Sequence, residues 1–194
     1  MFRQRLSLGK AAHIYYYKVK RADVQLLLAW WQHMIKIWRQ QVMSQEIERK
    51  FLVRAGWQPE GTGSRIAQGY LSAVPERTVR VRVRGERGYL TVKGKNNGIS
   101  RAEFEYEVPL ADAEAMLALC EQPLIEKTRY RVPAGELCWE IDVFAGANAG
   151  LVVAEIELPT PDTPFARPDW LGAEVSDDPR YYNSSLQQHP FSVW

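Results

Sequence analysis

The sequence predicts a mainly β protein of the α+β class, built as an antiparallel sandwich or barrel with a few flanking helices. Two observations predict it. Apolar and charged residues alternate with period two from Glu46 onward, and short turns rich in glycine or proline separate the alternating stretches. Closely spaced strands joined by such turns favour antiparallel pairing. The alternating stretches are 46–51, 78–84, 89–93, 103–108, 127–132, 139–143 and 153–158.

Charge divides the chain into two parts. The 194 residues carry a formal net charge of +2, but residues 1–42 hold eight Lys and Arg against one Asp, a net +7. Residues 43–194 hold 17 Lys and Arg against 22 Asp and Glu, a net −5. We therefore expect residues 1–42 to be a basic N-terminal extension, not part of the native domain if Met43 is the true start, and residues 43–194 to be the folded domain. The apolar stretch 24–38 has basic flanks and would contact a membrane only if the extension is real.

Composition excludes several classes of protein. A hydrophobic fraction of 46% with 11% aromatic residues is typical of a folded chain rather than a disordered one. No apolar run reaches the roughly 18 residues of a transmembrane helix. Cys120 and Cys138 are too few for a disulfide scaffold or a four-cysteine zinc site, so a cytoplasmic location is expected.

Two helices are predicted beside the strands. Residues 111–121 place Ala113, Met116, Leu117 and Cys120 at helical spacing, which indicates a helix packed on the outside of the sheet. Residues 179–186 begin with Pro179 after Asp178, and this order is typical of a capped short helix.

Most strands carry a single sign of charge on one face. Residues 80–84 align three arginines, residues 103–107 three glutamates and residues 127–131 three bases. One interpretation is an ordinary solvated sheet face, on which acidic and basic strands pair. The other is a closed sheet with the charges inside, which would need a ligand to balance them. Basic side chains bind phosphate oxygens and carboxylates bind Mg²⁺ or Mn²⁺, so the second interpretation predicts a polyphosphate and metal site.

An ordered series of motifs favours the second interpretation. The segment Glu46-Ile-Glu48-Arg-Lys50 resembles the ExExK signature of the CYTH superfamily, the triphosphate tunnel metalloenzymes. A single ExExK is a weak signal, but further family-like segments follow in order, and the resemblance covers residues 46–186. These segments are Gln68-Gly-Tyr70, Arg82-Val-Arg84, Thr91-Val-Lys93, Arg101-Ala-Glu103-Phe-Glu105, Glu126-Lys127-Thr-Arg129, Asp142-Val-Phe144 and Glu155-Ile-Glu157.

The resemblance implies a closed eight-stranded antiparallel β-barrel, the triphosphate tunnel, and is strongest to short bacterial inorganic triphosphatases. It implies hydrolysis of the terminal phosphoryl group of inorganic triphosphate with Mg²⁺ or Mn²⁺ as cofactor. The substrate would be inorganic triphosphate or another small molecule bearing a triphosphate, with no specific nucleic acid, and a homodimer is one possible assembly.

Other functions of the same family remain open. They are a class IV-type adenylate cyclase, a thiamine or nucleoside triphosphatase, and a non-catalytic polyphosphate-binding module. The His-Phe element that usually precedes ExExK in the cyclases is missing from residues 40–45, which weighs against a cyclase. The intact ExE pairs at Glu46/Glu48 and Glu155/Glu157 weigh against a module that only binds.

The resemblance also assigns roles to residues. Glu48 would act on the attacking water, and Lys93 or Lys127 would stabilise or protonate the leaving oxygen. Arg80 is expected near the rim of the tunnel. Glu107 and Glu140 are expected at ordinary solvated positions, and Asp142 is intermediate between those and the site carboxylates. The expected substrate ligands are Lys50, Tyr70, Arg82, Arg84, Lys93, Arg101, Lys127 and Arg129. The expected metal and water ligands are Glu46, Glu48, Glu103, Glu105, Glu155 and Glu157.

Overall fold

The computed structural model describes residues 45–194, so the basic extension predicted for residues 1–42 lies outside the described residues. Within 45–194, no helix combines the length and the apolar character that crossing a membrane requires. The strands are β1 (Gln45–Val53), β2 (Ser64–Ser72), β3 (Arg77–Arg84), β4 (Arg87–Gly94), β5 (Ser100–Val108), β6 (Ile125–Ala134), β7 (Leu137–Phe144), β8 (Val152–Glu157) and β9 (Leu171–Glu174). The α-helices are α1 (Leu110–Leu117) and α2 (Asn183–Gln188).

Eight strands close into an antiparallel barrel, as predicted. Their order around the barrel is β1, β8, β7, β6, β2, β3, β4, β5, and β5 pairs again with β1. This closing seam is short, because only residues 45–47 of β1 pair with residues 100–102 of β5. The short strand β9 lies outside the ring and pairs with the other end of β1 at Phe51 and Val53. Closure removes most of the exposed edges that an open sheet would have.

Strand β2 lacks the alternation of charge by which the other strands are recognised. Its residues Ile66, Gln68 and Tyr70 are all buried, and so is Gly69 on its other face. A Cβ atom at Gly69 would lie 2.6 Å from the Cβ of Cys120, so this position tolerates no side chain. Protein therefore covers both faces, and a strand of this kind shows little period-two polarity.

The predicted helices are shorter than expected. Helix α1 ends at Leu117 rather than Glu121. The helix predicted over 179–186 divides into a 3₁₀ turn, Pro179–Tyr181, and α2, because Tyr182 between them adopts an extended backbone with φ −73° and ψ 136°. Asp178 caps the first turn as predicted, since its carboxylate accepts a 3.0 Å hydrogen bond from the backbone N–H of Arg180.

Apolar side chains on the outer face hold the barrel together. Helix α1 packs on β2, β3 and β4, where Ala113, Leu117 and Cys120 bury Val81. On the opposite side, Trp139 and neighbouring apolar residues are covered by Phe165 and Trp170, which both lie in the segment between β8 and β9. Because the apolar residues that alternate with charged ones face outward, the charged residues between them face the lumen.

One end of the lumen is filled by apolar side chains. Ile125, Phe144 and Val153 lie on inward-facing positions of β6, β7 and β8 and pack against Leu186 of α2. Leu186 and Ile125 are fully buried. Helix α2 therefore closes this end, and access from solvent is through the other.

Candidate active site

Cross-strand pairing brings the charged faces together inside the barrel. Lys50 of β1 stands opposite Glu155 of β8, and Arg129 of β6 stands opposite Asp142 of β7. Exposure rises steadily from the closed end to the open end. The side chains of Lys127 and Asp142 are 1% and 0% exposed, that of Glu140 is 30% exposed and that of Arg131 is 68% exposed. The lumen is thus a charged pocket that opens at one mouth.

A buried ion-pair network lies at the deep end. Lys127 Nζ donates to Asp142 Oδ2 at 2.5 Å and to Asn183 Oδ1 at 3.2 Å. Arg129 binds both oxygens of Asp142, at 2.7 and 2.6 Å, and reaches Glu155 at 2.8 Å. Lys50 also bonds to Glu155.

Burial and paired charges shift the pKa values in this network. Burial lowers the pKa of Lys127 to about 8, although the nearby Asp142 carboxylate opposes that shift. Burial alone would raise the pKa of Glu155, but the charges of Lys50 and Arg129 hold it well below its usual range. At neutral pH the network is therefore ionised, with Lys127 close to its titration range.

Arginine residues line the β3 side of the lumen. Arg82 Nη2 binds both oxygens of Glu105, at 2.9 and 2.7 Å, and Arg80 Nη2 reaches Glu105 at 3.2 Å. Thr91 is fully buried and donates to the same carboxylate at 2.8 Å. Arg84 lies nearer the mouth and donates to the hydroxyl of Tyr89 at 3.2 Å. The strand thus carries three guanidinium groups at successive depths.

The β1–β5 seam brings bases and carboxylates together. Lys93 Nζ lies 2.9 Å from Glu46 and 2.8 Å from Glu103, and Arg101 Nε donates to Glu46 at 2.6 Å. Burial raises the pKa of Glu103 to about 7, with a further contribution from the adjacent Glu46 carboxyl. The charges of Lys93 and Arg101 instead lower the pKa of Glu46 against the effect of burial, so the two neighbouring carboxyl groups differ in how readily they ionise.

The carboxylates of Glu48 and Glu157 stand opposite each other on β1 and β8. Glu157 is exposed, and partial desolvation together with the charges of Glu46 and Glu48 raises its pKa. No group of three His, Cys, Asp or Glu side chains in residues 45–194 is arranged as a ready metal site, since several of these carboxylates hold Lys or Arg instead. The negative charge that Glu46 and Glu48 add around Glu157, with carboxylate oxygens as ligands, fits a hard divalent cation.

Tyr70 is buried on the lumen face of β2 and stands opposite Arg80. Burial raises the pKa of its hydroxyl. The predicted site residues of all strands thus share one lumen, with Glu157, Arg84 and Glu105 nearest its mouth.

Several lumen residues were not predicted from the sequence. Asp142 is fully buried and anchors two bases, Arg80 is buried rather than at the rim, and Glu140 bonds to Arg129. Asn183 enters the site from α2. The sequence signal for Asp142 is its alternation with Ile141 and Val143, which places it on the lumen face of β7. Alternation does not show how deep in the barrel a residue lies. Glu107 is 57% exposed beside Arg87, in agreement with its predicted solvated position.

Comparisons with known proteins agree with this architecture. A family model described as the CYTH domain matches residues 44–185. The inorganic triphosphatase of Acetivibrio thermocellus is 48% identical over 151 residues, covering 77% of this chain and 97% of that protein. The inorganic triphosphatase of Nitrosomonas europaea is 37% identical over 146 residues, covering 73% and 95%. A crystal structure of an inorganic triphosphatase superposes with a TM-score of 0.54 at 33% identity, covering 73% and 93%.

Proposed function

This chain belongs to the CYTH domain family, and from that premise we propose that it hydrolyses the terminal phosphoryl group of inorganic triphosphate with the help of a divalent metal. The observation that carries the proposal is the sorted charge of the lumen: bases and carboxylates face one another inside a barrel closed at one end. A linear polyanion together with a cation matches both sets of charges.

The lumen bases are the proposed ligands of the triphosphate. Six of these proposed ligands, like Arg80 beside them, are held in ion pairs with lumen carboxylates. The carboxylates already present oxygen atoms in the paired geometry that phosphate would offer. Arg82 donates to both oxygens of Glu105, and a phosphoryl group would take the place of that carboxylate. Arg84 and Tyr70 would complete the set. The six are Lys50, Arg82, Lys93, Arg101, Lys127 and Arg129.

The metal would be held by carboxylates at the mouth and the seam. Glu46, Glu48 and Glu157 are the residues that would hold Mg²⁺ or Mn²⁺. Partial desolvation, and then the charges of Glu46 and Glu48, raise the pKa of Glu157, and a bound cation would relieve that repulsion. Glu103, Glu105 and Glu155 are further ligands in this proposal. Like Glu46 and Glu48, each of them is paired with lumen bases that the metal would have to displace. When bound, the metal supplies charge neutralisation to the phosphate oxygens.

Attack by water needs a group that accepts its proton and a group that stabilises the leaving oxygen. Glu48 is the proposed residue for orienting and deprotonating the water. Lys127 suits the leaving oxygen better than the more accessible Lys93, because it is buried against Asp142 and its pKa of about 8 lets it donate a proton at neutral pH. Positioning and charge stabilisation would provide most of the rate.

One assay tests the function against its rivals. The protein is incubated with tripolyphosphate, ATP or thiamine triphosphate, each with Mg²⁺, with Mn²⁺ and with EDTA, and phosphate, pyrophosphate and cyclic AMP are measured. We expect metal-dependent release of phosphate, fastest from tripolyphosphate. Formation of cyclic AMP and pyrophosphate from ATP would instead identify a cyclase, and the absence of turnover with retained binding would identify a binding module.

A further inference from the structure

Gln68 is a buried polar residue that the proposed mechanism does not use. Its side chain is fully buried, yet neither its amide nitrogen nor its amide oxygen makes a hydrogen bond to any residue of 45–194. The Nε atoms of Arg80 and Arg82 are likewise buried without a partner in this part of the chain. Buried amide groups in folded proteins are almost always hydrogen-bonded, so these atoms call for an explanation.

The register of β2 directs Gln68 into the lumen. Its neighbour Gly69 faces the outside of the barrel, where a Cβ would meet Cys120 and Leu124. Because successive side chains alternate between the two faces of a strand, Gln68 faces inward with Tyr70. It stands opposite Arg82 on β3 and Ile125 on β6. Lys127 follows two residues after Ile125 on the same face of β6, so Gln68 lies where the apolar end meets the deepest bases.

An amide without partners at this position is costly. A leucine of similar volume would fill the space and pack on Ile125 without the penalty of desolvating an amide. A residue that lowers the stability of the free protein in this way is typical of a binding site. Within residues 45–194 no carboxylate accepts from this carboxamide, whereas Glu105 already occupies Arg82.

We propose that Gln68 is a substrate-contacting residue at the closed end of the lumen. Its Nε2 donates to a non-bridging oxygen of the innermost phosphoryl group, and its Oε1 accepts a hydrogen bond from a water beside that group. Phosphate oxygens only accept hydrogen bonds, whereas water also donates. A phosphate oxygen and a water together therefore use both the donor and the acceptor of the amide. This inference rests on the proposed function, since it takes inorganic triphosphate as the ligand.

The test compares Gln68→Leu with the wild type. In the absence of ligand, we expect the melting temperature of the variant to equal or exceed that of the wild type. The rise in melting temperature caused by tripolyphosphate in EDTA should be smaller, and kcat/KM with metal should fall about tenfold or more, as for a lost hydrogen bond to a charged group. Gln68→Glu keeps the size but adds a negative charge, and should weaken tripolyphosphate binding further.

Gln187→Leu provides the matched stability control. Gln187 is also buried and its Oε1 likewise has no partner in residues 45–194, but its amide nitrogen donates to the carbonyl oxygen of Glu121. Its replacement should therefore lower the melting temperature of the free protein, opposite to Gln68→Leu. An unchanged response to tripolyphosphate and an unchanged kcat/KM in Gln68→Leu would overturn the role of Gln68. Failure of the wild type itself to release phosphate would instead count against the proposed function, and the ligand-induced melting shifts would still decide whether Gln68 contacts the triphosphate.

Discussion

Lys127 shows how a single residue of the lumen is tuned. It is 1% exposed, and burial lowers its pKa to about 8, although the charge of Asp142 acts to raise it. The sequence identified this lysine by its place in a row of three bases. Its two partners were less visible, because Asp142 occupies an ordinary alternating position and Asn183 lies more than fifty residues away along the chain.

The ionisation of Lys127 predicts how activity depends on pH. A group that donates a proton must be protonated in the free enzyme, so kcat/KM should decline as the pH rises through about 8. Asp142→Asn removes the charge that raises the pKa of Lys127, and the decline should then begin at lower pH. The measurement is a kcat/KM profile from pH 6 to 10 at saturating metal. An identical alkaline limb in Lys127→Arg would show that another group titrates there.

Asp142 is also predicted to be important for stability. Its carboxylate neutralises two buried bases, and Asp142→Asn leaves their charges only partly compensated, which costs about 3–5 kcal/mol in buried pairs of this kind. Urea unfolding should show a lower midpoint. Glu136→Gln, in the exposed turn after β6, is the control and should leave the midpoint unchanged.

Glu48 carries the next prediction at the residue scale. Glu48→Gln keeps the size of the side chain but removes a charge that would hold metal and activate water, so kcat should fall about a hundredfold or more. Circular dichroism should show an intact barrel, since Glu48 lies on the lumen face and contributes nothing to the outer core. Full activity in this variant would remove the carboxylates of β1 from the mechanism.

At the scale of elements, alternation predicted the strands that separate charge from apolar residues and missed those that do not. β2 is buried on both faces, and β9 has only four residues, too few for a recognisable pattern. The family resemblance supplied the number of strands in the ring. The helices were predicted in the right places but with too many residues, because contacts decide where a helix ends. In the second helix, the extended backbone at Tyr182 delays the start to Asn183.

The close approach to β2 of the segment between α1 and β6 gives a prediction at this scale. Gly69→Ala would place a methyl group 2.6 Å from Cys120 and 2.7 Å from Leu124, which forces that segment away from the strand. Overpacking of this kind typically costs about 1–3 kcal/mol, so thermal unfolding should begin several degrees lower. Gly94→Ala is the control, since its nearest contact would be an ordinary 3.5 Å. Equal melting temperatures for the two variants would mean that the segment after α1 moves without cost.

At the scale of the whole molecule, the polarity and the solvent exposure of the lumen both increase from the closed end to the mouth. At the closed end, Leu186 of α2 is fully buried. Leu186→Ala should leave a cavity, lower the stability by about 2–5 kcal/mol and loosen the contact between Asn183 and Lys127. The change in urea midpoint should be large beside that of Leu119→Ala, whose side chain is 76% exposed. A matching change in both would mean that α2 does not seal the barrel.

The sealed end also has a consequence for traffic. A channel open at both ends could thread a long phosphate polymer and shorten it while the polymer advances, but a blind pocket admits only what can enter and turn back. Both products must leave through the opening that admitted the substrate, with the fragment nearest the mouth departing first. Pyrophosphate that remains in the lumen would delay binding of the next triphosphate. Accumulated pyrophosphate should therefore slow turnover as a competitive inhibitor.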